Sequence, residues 1–248
     1  MKKIFTILTF SLLFTCAFAQ ERIVHQGRMW HPKPMQGDKM EAAMAKKTQK
    51  YNVGNENYPM NSFRVITGKD QGAVLRITSR TFADRDKYTL RKSEMDYWQK
   101  NVIPHVDMSK DAGTSLWRKM ENHSYNGSGN SDRLRYTQVT EYLVGSGNMQ
   151  EWNQLRSKLV EAHKKTGSKA RFNHYYRFSG GETHLIHMSV YFDSWEDYDK
   201  LTSVFSTELY DKAHGKGTSK KWLDHQSNIV KRRSTFIREH LPELSSIE

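Results

Sequence analysis

Two stretches decide the fold: residues 62–80, SFRVITGKDQGAVLRITSR, and residues 170–192, ARFNHYYRFSGGETHLIHMSVYF. In each, apolar residues alternate with polar ones on both sides of a short glycine-containing loop, GKDQG in the first and SGGE in the second. That pattern predicts two β-hairpins. Phe82 and Tyr88 follow the first hairpin, Phe192 and Tyr198 the second, and each pair is separated by 110 positions. A shared spacing on this scale marks an internal repeat.

Working outward, the surroundings repeat as well. Residues 38–51 place Met40, Ala43, Met44 and Tyr51 on one helical stripe, and residues 148–165 do the same with Met149, Trp152, Leu155, Leu159, Val160 and His163. Asp38 and Asn148 stand at N-cap positions, and Gly167 follows the second helix as a stop. A strand precedes each helix, at residues 23–30 and 136–144. A second helix follows each hairpin: residues 94–102, with Met95, Trp98 and Val102, and residues 195–210, with Tyr198, Leu201, Phe205 and Leu209. Closing strands are expected at 116–123 and 230–238. Each half thus reads β-α-β-β-α-β, a ferredoxin-like unit. The first repeat spans residues 20–126, the Ser/Gly/Asn-rich segment 127–131 is the hinge, and the second repeat spans 132–248.

In this order of elements, and in the Phe82/Tyr88 and Phe192/Tyr198 pairs, the chain resembles the dimeric α+β-barrel superfamily, which includes the antibiotic-biosynthesis-monooxygenase-like proteins. The resemblance implies an α+β fold in which two tandem ferredoxin-like repeats join their sheets into an intramolecular, pseudo-dimeric barrel. It also implies a function drawn from cofactor-free oxygenases, haem proteins, isomerases and small-molecule binders. No motif common to that superfamily falls on particular residues here, so the resemblance leaves open whether the chain is an enzyme.

The first twenty residues, MKKIFTILTFSLLFTCAFAQ, have the parts of a secretory signal: Lys2 and Lys3, an apolar run over residues 4–14, and the small-x-small site Ala17-Phe18-Ala19. The apolar run is shorter than the ~20 residues that span a bilayer, so cleavage after Ala19 and export to the periplasm or medium are expected, with no stable membrane anchor. Lipidation at Cys16 is the alternative, with Thr15 a poor neighbour for it. Cleavage removes the chain's one cysteine, which excludes disulfides, a cysteine nucleophile and Cys-rich metal sites. It leaves 37 Lys and Arg against 27 Asp and Glu, a net charge of +10.

Residues two apart on a strand share a face. In the second hairpin Phe172, Tyr176, Phe178, Ile186, Met188, Val190 and Phe192, with His174, form the apolar row expected under the helices. The opposite row carries Asn173, Tyr175, Arg177, His187, Ser189 and Tyr191. In the first hairpin Phe63, Val65, Ala73, Leu75 and Ile77 are expected under the helices, with Arg64, Arg76 and Arg80 opposite. Closure of the barrel then brings Arg64, Arg76, Tyr175, Arg177, His187 and Tyr191 into its interior. There they form a pocket for a small anionic or aromatic ligand, or else a salt-bridge and tyrosine network with Glu121, Glu141 or Glu239.

His163, on the apolar stripe of its helix, is a candidate haem ligand or base; a core histidine bonded to a tyrosine hydroxyl is the alternative. No spacing among the 11 histidines forms a metal motif, and no Gly-x-Ser-x-Gly, Walker or dinucleotide fingerprint occurs. The basic runs 212–221 and 231–233 lack interleaved aromatics, so nucleic acid is not an expected partner; a solvated loop and a charged edge strand account for them. The function expected is small-molecule binding of α+β-barrel type, with oxygenase-like chemistry within reach. The alternative is a noncatalytic envelope protein that binds an anionic polymer or a protein through its basic surface.

Overall fold

A computed structural model describes residues 22–54, 59–129, 135–201 and 206–246. Residues 1–21 with the export segment, 55–58, 130–134 with the last two residues of the hinge, 202–205 and 247–248 lie outside the described residues. The first half runs β1 (Val24–Trp30), α1 (Gly37–Tyr51), β2 (Met60–Val65), β3 (Val74–Arg80), the short helices α2 (Phe82–Lys87) and α3 (Lys92–Tyr97), a π-turn through Trp98–Val102, and β4 (Thr114–Lys119). A two-residue strand, β5 (Tyr125–Asn126), precedes the second half. That half comprises β6 (Tyr136–Val144), α4 (Met149–Thr166), β7 (Arg171–Ser179), β8 (Leu185–Phe192), α5 (Trp195–Leu201), α6 (Thr207–His214), α7 (Thr218–Ile229) and β9 (Val230–His240).

Both expected hairpins form. Within each half the strand order is that of a ferredoxin-like unit: β4-β1-β3-β2 in the first, β9-β6-β8-β7 in the second. Two antiparallel seams join them. β2 pairs with β9 through Arg64↔Glu239, and β4 pairs with β7 through Trp117↔Arg177. Eight strands thereby close into an antiparallel barrel, with the helices on its outside. Closure removes most sheet edges, a standard protection for exposed strands.

The helices sit where their apolar stripes require. α4 buries Trp152, Leu155, Leu159 and Val160 against Phe172, Ile186 and Met188 of β7 and β8. It ends at Gly167 in a left-handed conformation (φ 63°), with the Ser168 N–H returning to the His163 carbonyl at 3.1 Å. α1 buries Met40 and Met44 beside Trp30, Val74 and Val102. The chain's final turn joins this first-half core, because Leu241 and Leu244 pack into it and Ser62 Oγ donates to the Leu244 carbonyl at 2.8 Å.

Several expectations are corrected. Asp38 lies inside the first turn of α1, where its charge suits the helix N-terminus, and Gln36 occupies the cap. The expected helix 195–210 is divided between α5 and α6. The basic run 212–221 is not a loop: it closes α6 and opens α7, with only the Gly215–Gly217 turn between them. β9 is not an edge strand along its whole length. It pairs with β6 from end to end and with β2 over Arg238–His240, so Lys231 to Arg233 lie where only β6 flanks it.

Candidate functional site

The barrel interior holds a cavity of about 690 Å³. Strand register explains which side chains reach it. Ser234 of β9, Glu141 of β6, His187 of β8 and Tyr175 of β7 are successive cross-strand partners, one row across four strands. A second row runs Arg238 of β9, Thr137 of β6 and Tyr191 of β8. All but Ser234 line the cavity.

In the first row Glu141 joins its neighbours, with Oε1 2.9 Å from His187 Nε2 and Oε2 accepting from Ser234 Oγ at 2.7 Å. Burial alone would raise the Glu141 carboxyl. Its bonds to His187 and Ser234, with the charge of Lys69, outweigh that and hold it at about 2. Burial pushes His187 below the ordinary histidine value, while Glu141 resists the shift. An ionised Glu141 can only accept a proton, so neutral His187 carries its hydrogen on Nε2 and keeps Nδ1 as the basic nitrogen. Trp117 of β4 packs on this ring at 3.9 Å between centroids, which limits its rotation.

In the second row Arg238 is 8% exposed, and its Nε has no hydrogen-bond partner. Its guanidinium lies 4.2 Å over the Phe63 ring, and no carboxylate among the described residues pairs with it. Burial lowers its proton affinity from the ordinary arginine value, with Tyr191 and Tyr175 opposing. A buried guanidinium without a carboxylate is costly unless other groups offset it, as the Phe63 ring does in part here. Beside it, Asn173 Nδ2 donates to Tyr191 Oη at 3.0 Å, and the Tyr175 and Tyr191 hydroxyls are 3.5 Å apart. Burial, then Tyr191, pushes the Tyr175 phenol well above its usual value. Arg177 lies at the rim, 5.5 Å from Trp117, with Nε donating to the Glu182 carbonyl.

Of the six pocket residues expected from the sequence, the structure brings Tyr175, Arg177, His187 and Tyr191 into the lumen. Arg64 and Arg76 are not there. The first-half faces are the reverse of the expectation: Phe63, Leu75 and Ile77 line the lumen, and the arginines of β2 and β3 lie under the helices. Arg64 pairs with Glu41 of α1 at 2.7 Å, and Arg76 donates to Thr48 of α1 at 2.6 Å beneath Trp98. Glu239, a proposed interior counter-ion, instead binds Arg135 and Arg64 outside the barrel. Arg238 and Trp117 were not singled out from the sequence. The alternation of Phe236, Arg238 and His240 along β9 is the signal that would have found the first.

His163 does not reach the lumen. It is fully buried between α4 and β7, its ring 5.1 Å from Phe172 and 5.4 Å from Tyr125, whose hydroxyl donates to the His163 backbone carbonyl. His163 lines neither the lumen nor the cavity beneath α1 and α3. A haem at His163 would have to displace Phe172 and Tyr125, so the residues present do not fit that group. Burial drives this histidine to about 4, which keeps it neutral. Among the described residues no cluster of three or more His, Cys, Asp or Glu is placed to hold a metal, and no helix is long and apolar enough to cross a membrane.

Fold and cavity together define an α+β barrel with a ligand-sized, cation-bearing interior. No family model and no curated protein matches the chain. Solved structures do. A proposed monooxygenase from Lactobacillus acidophilus NCFM superposes with a TM-score of 0.58 at 9% identity, covering 89% of this chain and 94% of the other. An anthrone oxidase-like protein gives 0.58 at 13%, covering 92% and 94%. A chlorite dismutase from Candidatus Nitrospira defluvii, in complex with imidazole, gives 0.56 at 10%, covering 90% and 93%. At these identities the match establishes the dimeric α+β-barrel fold.

Proposed function

We propose that this protein binds a small anionic, aromatic molecule in the barrel lumen, and that His187, oriented by Glu141, takes a proton from it. The observation that carries this reading is Arg238: a buried guanidinium with an unpartnered Nε, facing a cavity of about 690 Å³. The ligand's carboxylate or phosphate would complete Arg238, and its ring would lie among Phe63, Trp117 and the tyrosines. A phenol or enol proton would pass to His187 Nδ1, while ionised Glu141 stabilises the imidazolium. The electron-rich anion left behind is the form that reacts with dioxygen, an oxygenase-like chemistry for which the neighbours' names provide a parallel. We further propose that the mature protein begins at Gln20 after export; the N-terminal sequence of the secreted form tests this.

The test of the site is native mass spectrometry of residues 20–248 for a co-purified ligand, followed by calorimetric titration with benzoate, 4-hydroxybenzoate and phenyl phosphate. Charge-assisted hydrogen bonds are worth about 1.5–3 kcal/mol, so Arg238→Gln should weaken binding about 10- to 100-fold. Arg177→Ala should weaken it less. Binding that ignores both substitutions, or none at all, would overturn the reading.

A further inference from the structure

A second cavity, of about 380 Å³, lies outside the barrel between the first-half sheet and α1 and α3. Alternation along β1 sends Gln26, Arg28 and Trp30 to this side of the sheet. Register then sets Thr78 of β3 between Gln26 of β1 and Met60 of β2, a row of three across the floor. Trp30, Trp98 and Ile103 form apolar sides, and Leu90, Met95 and Met108 stand about half-exposed at the mouth. The lumen chemistry uses none of these residues.

The charged side chains of the wall are engaged within the protein. Arg28 meets Asp111 through two hydrogen bonds, and Lys47 pairs with Glu94. Arg76 donates to Thr48 at 2.6 Å and lies 5.6 Å from the Trp98 ring. An ionised ligand would have to break one of these arrangements, which favours an uncharged one. The floor has a different need. Among the described residues neither Gln26 Oε1 nor Thr78 Oγ has a hydrogen-bond partner, although both atoms are buried and Thr78 is only 3% exposed. Unmatched polar atoms in such a place are costly.

We infer that this second cavity binds an uncharged aromatic alcohol, whose hydroxyl donates to Gln26 Oε1 and accepts from Thr78 Oγ while its rings lie among Trp30, Trp98 and Met60. Gln26 and Thr78 are direct cross-strand partners, a pairing that sets Cβ atoms about 5 Å apart, so one group can reach both. A hydroxyl suits them because it is donor and acceptor at once. A hydrocarbon of the same shape leaves both atoms bare. A carboxylate offers Gln26 Oε1 no hydrogen and brings a charge whose nearest partners are already taken. The volume is at the small end of the range for small-molecule sites, which suits one or two fused rings.

The experiment is calorimetric titration of the folded protein with 2-naphthol, in wild type and in Thr78→Val, Gln26→Leu and Arg238→Gln. Wild type should bind it, and Thr78→Val and Gln26→Leu should each weaken binding about fivefold, the worth of one neutral hydrogen bond. Arg238→Gln, and saturation of the lumen with 4-hydroxybenzoate, should leave it unchanged. Without ligand, Thr78→Val should be at least as stable as wild type in urea, because it removes a hydroxyl that bonds to nothing. A clear loss of stability there would show that the hydroxyl already has a partner, and would overturn the proposal. So would an absence of binding at millimolar 2-naphthol, or binding indifferent to Thr78→Val. Should Gln26→Leu misfold, Thr78→Val decides alone. Because 2-naphthol is read at Thr78 and the anionic ligands at Arg238, failure of either reading leaves the other standing.

Discussion

Replacing Glu141 by glutamine removes one charge from the lumen while keeping one oxygen to accept from His187 Nε2, with the amide NH2 turned to Ser234 Oγ, which can accept. The carboxyl stands at about 2 in the folded protein against an ordinary value of 4.5. A depressed acid contributes stability that is fully present above its unfolded value and is lost as pH falls through the folded one. At 1.36 kcal/mol per unit, the difference is about 3 kcal/mol, reduced to about 2 by the partial solvent access of the side chain. His187 slopes the same way in each protein but acts in the opposite direction on the gap between them. Its folded value lies below the unfolded 6.5, and losing Glu141 lowers it further, so the variant resists protonation more than wild type does. Urea denaturation across pH 7 to 2 should therefore show a wild-type advantage of about 2 kcal/mol at pH 7. That gap should widen slightly from pH 6.5 to 4.5, then close toward pH 2. A pH-independent gap, or none at all, would refute the assignment of Glu141 as a charged partner of His187.

Trp117, packed on His187, should report protonation of that ring: its fluorescence should fall with a midpoint below 6.5, and the transition should vanish in His187→Gln. Gly180, at φ 80°, lies against the β4–β7 seam, where an added Cβ would run into the Thr114 carbonyl and stand 2.7 Å from Ser115 Cα. Gly180→Ala should cost about 3 kcal/mol or more by thermal or chemical unfolding, against about 1–2 for Gly147→Ala, whose φ is equally positive but whose surroundings are open. Titration with haemin should give no Soret shift that depends on His163; a shift lost in His163→Ala would show that Phe172 and Tyr125 yield to the macrocycle.

The repeat was legible because each element carries its own period. The stretch 136–144 matches β6, and the stripe from Trp152 to His163 matches the buried face of α4. What period two cannot supply is which face of a strand the helices cover. In the second half the apolar row goes under α4, as hydrophobicity alone suggests. In the first half the helix-covered row carries Arg76, Thr78 and Arg80, their guanidinium groups set against Trp98 and Tyr88, and the apolar row of Phe63, Leu75 and Ile77 faces the lumen. Local pattern is silent on this reversal, because the residues that make Arg76 comfortable, Thr48 and Trp98, are distant in sequence. Arg238 was hidden for a similar reason: its importance lies in what fails to pair with it, which only a closed barrel reveals.

The docking of the last turn into the first-half core sets the order in which this chain can mature. Leu241 and Leu244 complete a core whose other members begin at Trp30, and β2 gains its outer partner only when β9 arrives. The first repeat therefore stays incomplete until Leu244 has been synthesised, and contacts this distant in sequence make for slow folding. Under the export proposed above, such delay would be useful, because an unlocked chain is the form that can be threaded across a membrane. Cutting at the hinge would accordingly yield two fragments that must find each other, rather than two domains.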